Sequence, residues 1–154
     1  MQRQSCRGFS LTELLIVVAV GSLVLTFAVP AMQESLAASR MQSSAIQLAS
    51  ELSFARTIAV SRNAIFEVRI NAAQRSFQVV DPADLENPPR TAKPLDQNVV
   101  FGPGTPASVS FFPRGHADAA MLSLFNELGQ RIDVQVRSSG MVEVQNFQAA
   151  AQNE

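Results

Sequence analysis

Glu13 is the residue whose chemistry most needs a reason. It stands at the head of an uncharged run, Leu14 to Val29. A carboxylate within such a segment costs roughly 2.5 to 3.5 kcal/mol on membrane-insertion scales, so an acid kept there is read as a functional group that meets a cation. The rest of the chain offers a catalyst little. His116 is the only histidine and Cys6 the only cysteine, which leaves zinc ligation and Cys/His or Ser/His nucleophilic chemistry almost no material. His116, in Gly115-His116-Ala117-Asp118, reads as an exposed loop residue. Gly102-Pro103-Gly104-Thr105-Pro106 carries prolines where a phosphate cradle needs amides, and no lysine follows, so it reads as a turn between strands. Asp81, Asp84 and Glu86 lack the glycine and distal glutamate of a calcium loop and read as solvated acids. No enzymatic activity, metal or cofactor is expected.

The cation for Glu13 follows from what precedes it. A cut after Gly8 would place a new amine on Phe9, four residues before Glu13, or about 6 Å of helical rise away. That distance suits pairing within one subunit or between neighbours. The segment Gly8-Phe9-Ser10-Leu11-Thr12-Glu13 followed by an apolar helix resembles the N-terminus of type IV prepilins and pseudopilins. Thr12 replaces the isoleucine often found before the glutamate. The resemblance implies cleavage after Gly8 by an inner-membrane prepilin peptidase, N-methylation of Phe9, and assembly with other major and minor pilins through Glu13.

An ordinary secretory signal peptide cut near Ala28 or Ala31 is the competing reading. A charge at the start of the apolar region and Pro30 beside the cut weigh against it. On either reading Arg3 and Arg7 put the N-terminus in the cytoplasm by the positive-inside rule. The expected location is the inner membrane, crossed once, with the C-terminal body on the outer side and in a filament after assembly.

Composition supports one small domain behind that anchor. The chain has 154 residues and a formal net charge of -1; without Arg3 and Arg7, ten basic residues face 13 acidic ones. That is no polycation built for nucleic acid. Ten phenylalanines, with no tryptophan or tyrosine, are the bulky core fillers. With Cys6 in the leader, no disulfide can staple the mature domain.

The elements that must position these residues are read from periodicity. Residues 1–8 form the leader, 9–31 the membrane and assembly half of a long helix, and 32–63 its amphipathic half. Pro30 removes a backbone donor and is expected to kink the helix. Leu36, Ile46, Ala49, Leu52, Ala55, Ile58 and Ala59 suggest one buried stripe, while Glu34, Arg40, Glu51, Arg56 and Arg62 suggest a wet face. Residues 64–146 alternate at period two. They give a hairpin over 64–70 and 76–80, a proline-rich loop at 81–96, and strands near 98–101, 107–112, 121–126, 131–137 and 141–145. Residues 147–154 read as a flexible tail. A long helix lying on an antiparallel sheet is an α+β, pilin-like arrangement.

Ser108-Val109-Ser110-Phe111-Phe112-Pro113-Arg114-Gly115, the Gly129 turn and Ser139-Gly140-Met141-Val142-Glu143-Val144 are similar to the GspH/FimT group of minor pilins and pseudopilins. The GspH branch implies a minor pseudopilin that serves protein export by type II secretion. The FimT branch implies a minor type IV pilin, some of whose members bind DNA through a Gly-Arg-x-Arg element. Here the corresponding place reads Gly140-Met141-Val142-Glu143, with both arginines replaced. Arg114, Arg131 and Arg137 remain as a candidate weak patch for DNA or a partner, with Asp118, Asp133 and Glu143 close in sequence. Secretion or pilus assembly is therefore preferred to DNA capture.

Overall fold

The computed structural model describes residues 10–149, the side chains of residues 24, 25, 27–31 and 146–149 excepted. Helix α1 runs from Leu11 to Arg62, with Glu13 in its first turn and Arg62 in its last, each complementing the helix dipole. Its end is closed by Asn63 in the left-handed region at φ 50°. The Asn63 amide donates to the Val60 carbonyl and the Ala64 amide to the Ala59 carbonyl. These are the two bonds of a Schellman motif, with asparagine where glycine is usual.

The chain forms two units, Met1–Leu36 and Ala37–Glu154. In the first, the described apolar side chains of α1 are uncovered: Leu14, Leu15, Ile16, Val17, Val18, Val20 and Leu23 are all exposed. In the second, the helix buries Met41, Ala45, Leu48, Leu52, Ala55, Ile58 and Ala59, at the three- and four-residue spacing of one face. Leu52, Ala55, Ile58 and Ala59 lie on the stripe expected from sequence. Leu36 and Ile46 do not; both are exposed, at 49% and 55%. The stripe passes instead through Met41, Ala45 and Leu48, which keep the phase of Leu52 and Ala55 where Ile46 departs from it.

Eight strands follow among the described residues: β1 (Phe66–Asn71), β2 (Ser76–Val80), β3 (Lys93–Pro94), β4 (Val99–Phe101), β5 (Ser108–Phe111), β6 (Ala120–Asn126), β7 (Gln130–Val136) and β8 (Val142–Ala149). They form two antiparallel sheets, ordered β3-β2-β1-β5 and β4-β6-β7-β8, where the sequence suggested a single sheet. Phe66, Val68, Phe77, Val79, Val109 and Phe111 from the first sheet join Val99, Leu122, Leu124, Ile132 and Val134 from the second, in one core with the helix face. Each such side chain contributes about 1.5 to 3 kcal/mol relative to exposure.

Turn chemistry agrees with the elements it joins. The amide of Gln74 donates to Asn71 Oδ1 at 3.0 Å, and Arg75 takes φ 50°. Buried Asn126 accepts at Oδ1 from the amides of Leu128 and Gln130 at 3.1 and 2.9 Å, and Gly129 supplies φ 71°. The proline-rich loop contains β3, which pairs with β2 through Ser76 to Pro94 and Phe77 to Lys93. Residues 147–149, expected to belong to a flexible tail, are instead in β8, which continues to Ala149 and pairs Arg131 with Gln148 and Gln130 with Ala149; the rest of the expected tail lies outside the described residues. A register shift between Arg131 and Asp133 interrupts the alternation that marks the earlier part of that strand.

Candidate functional site

Gly8 and Phe9 lie outside the described residues. Glu13 is exposed on the first turn of α1. The turn opens at Ser10, whose carbonyl accepts from the Leu14 amide at 3.1 Å, while the Ser10 and Thr12 hydroxyls lie 2.7 Å apart. Among the described residues Glu13 makes no ion pair. α1 continues through Pro30 without interruption. Among the described residues no helix is long and apolar enough to cross a membrane; Val24, Leu25 and Phe27 to Val29, which belong to the uncharged run, fall outside the described side chains.

The three arginines do not form one free basic patch. Arg131 donates from Nε to Asp133 at 2.8 Å and from Nη2 to Ser123 Oγ at 3.2 Å, and its guanidinium lies 5.8 Å from the centre of the Phe125 ring. Arg137 donates to Glu143 at 2.8 Å. Both charges are thus matched by acids on the same sheet. Arg114 is exposed in the loop after β5. The residue that replaces the second arginine of the DNA-binding element, Glu143, is therefore the one that neutralises Arg137.

The other candidates have local structural roles. His116 is exposed and stacks on Phe112, with ring centres 4.5 Å apart. Asp81 accepts from the Ala83 amide and Asp84 from Asn87, so both acids cap turns of their own loop. The Gly102 carbonyl accepts from the Thr105 amide and hydroxyl at 3.3 and 2.8 Å, which makes this glycine-proline segment a turn.

Glu51 is the residue that sequence reasoning missed. Assigned to the wet face, it is 2% exposed and faces both Arg90 and Lys93, each 2.6 Å from its Oε1. Arg90 also lies 3.7 Å over the Phe54 ring, and its carbonyl accepts from Gln78 Nε2 at 3.1 Å. Nothing local reveals this cluster, because its partners stand 39 and 42 residues along the chain. An acid on the inward phase of the helix was the available signal: Glu51 adjoins Leu52 and follows Leu48 by three.

Residues 44–140 match the family model described as type II transport protein GspH. Residues 3–29 match the prokaryotic N-terminal methylation motif. No curated protein matches the chain as a sequence relative. In fold it is similar to the type IV minor pilin FimU of Pseudomonas aeruginosa, at 12% identity and TM-score 0.60 over 70% of this chain and 90% of that one. It is also similar to the minor pseudopilin EpsH of the Vibrio cholerae type 2 secretion system, at 19% identity and TM-score 0.57 over 69% of this chain and 96% of that one. At these identities the likeness is one of fold: a helix packed on antiparallel sheets, as in pilins.

Proposed function

The chain belongs to the GspH family of type II transport proteins, and from that premise we propose that it is a minor pilin-like subunit cut after Gly8, methylated on Phe9 and built into a type II secretion pseudopilus or a type IV pilus-like filament for protein export. The observation that carries the reading is the methylation motif over residues 3–29 on the N-terminal side of the family region at 44–140. The exposed apolar half of α1 supports it. Side chains such as Leu14, Leu15 and Ile16, each about three-fifths exposed, need a bilayer or neighbouring helices around them.

Before assembly, the segment from Phe9 to Ala31 spans the inner membrane once, with Arg3 and Arg7 on the cytoplasmic side. After assembly it lies among the helices of neighbouring subunits. Glu13 then meets an N-terminal amine at Phe9, which turns a costly acid into a device that favours the filament over the free membrane state. The subunit performs no catalysis of its own; prepilin peptidase does the covalent work on it. The pairing of Arg131 with Asp133 and of Arg137 with Glu143 weighs against the DNA-binding alternative.

The test is Glu13→Ala in the full chain. The variant is expected to be processed and inserted but recovered poorly in a filament pull-down. Recovery at the level of the natural chain would contradict the role given to Glu13.

A further inference from the structure

Arg90 and Lys93 share one oxygen. Both donate to Oε1 of Glu51 at 2.6 Å; the carboxylate behind them is 3% exposed, whereas the two cations keep 40% and 36% of their side chains open. One negative charge thus faces two positive ones. Among the described residues no other carboxylate is within ion-pairing distance of either cation. Like charges held side by side repel, and that repulsion is relieved by a second anion. The geometry is also fixed in advance. Phe54 lies under the guanidinium, Gln78 holds the Arg90 carbonyl, and Lys93 is paired in β3.

We propose that Arg90 and Lys93 form a preorganised receptor for a carboxylate, an aspartate or glutamate side chain of a neighbouring subunit in the filament. The inference rests on the reading of this chain as a filament subunit. The guanidinium has N–H donors beyond the one given to Glu51, and the ammonium has three donors of which Glu51 takes one. A planar fork beside a point charge suits a carboxylate. Because Phe54 and Glu51 already hold the donors, little side-chain freedom is lost on binding. Nucleic acid fits poorly: the cluster carries a single uncompensated charge, and the same loop bears Asp84 and Glu86, whereas affinity for a phosphate backbone grows with the number of phosphates neutralised.

The experiment places a photo-crosslinking amino acid at exposed Ala92 in the full chain, within assembled filaments. It is expected to label another subunit in a peptide that contains Asp or Glu. Lys93→Ala leaves the pair of Arg90 with Glu51 and is expected to cut that labelling about fivefold or more. Glu51→Gln keeps both cations while removing the internal anion, and is expected to preserve or raise it. If the cations only fasten the loop to α1, Glu51→Gln will lower labelling as far as Lys93→Ala does, and the proposal fails. It fails equally if the probe in an incorporated subunit labels no neighbour, or labels nucleic acid. A chain recovered in no filament would overturn the filament reading, and this proposal with it.

Discussion

Gly140 packs so closely on Gly115 that a Cβ built on it would stand 2.1 Å from the Gly115 carbonyl oxygen and 2.8 Å from Nε of Arg56. Arg56 donates from that same Nε to the Gly115 carbonyl at 3.1 Å. The turn before β8, the loop after β5 and the helix therefore meet at one point, and Gly140 is there because nothing larger fits.

Gly140→Ala is accordingly expected to destabilise strongly. It adds a clash with backbone to the cost of a left-handed φ of 76°. Gly104→Ala carries a similar φ of 82° with open space around it, so its cost should be about 1 to 2 kcal/mol. Thermal unfolding of the two full-length variants in detergent checks the order. Equal losses would contradict the packing described at Gly140.

Leu52→Ala and Ile46→Ala test which face of α1 is inside. Leu52 is fully buried, and its truncation should cost about 2 to 5 kcal/mol. Ile46 is 55% exposed, and its truncation should fall within about 0.5 kcal/mol of the natural chain. Urea denaturation in which Ile46→Ala cost as much as Leu52→Ala would return Ile46 to the buried stripe.

The Glu51 cluster should be asymmetric under mutation. Arg90→Ala leaves Lys93 on the carboxylate, and Lys93→Ala leaves Arg90. The double variant strands a charge that is 3% exposed, for which about 3 to 5 kcal/mol is expected. The double loss should therefore exceed the sum of the single losses. Simple additivity in a double-mutant cycle would show that the two cations act independently.

DNA binding should be weak and nearly flat with salt. Arg131 and Arg137 are each matched by an acid on the same sheet, so few counterions would be released on contact. Gel-shift titration of the full chain at low and moderate salt measures this, and a steep loss of affinity with salt would revive the DNA-receptor reading.

What the sequence made legible was what depends on local pattern. The methylation motif is contiguous, the length of α1 follows from unbroken helical periodicity, and the hairpin of β1 and β2 follows from alternation around an asparagine turn. Its misses share a cause in long-range packing. Ile46 is as apolar as Leu48, and only the sheets decide which of them faces inward. Glu51 is charged like any surface acid until Arg90 and Lys93 reach it from a distant loop. The division into two sheets depends on which edges β4 and β5 join, which no alternation encodes. The last residues of β8 are held by backbone pairing to β7 after a register shift, and that pairing needs no apolar pattern. At the other end Gly8 and Phe9 lie outside the described residues, and the roles proposed for them rest on the motif alone.

Mass spectrometry of the mature N-terminus decides whether this chain is processed as a pilin-like subunit. The predicted result is a chain that begins at Phe9 and carries a methyl group on that residue. A mature chain beginning near Met32 would identify an ordinary signal peptide and contradict the account.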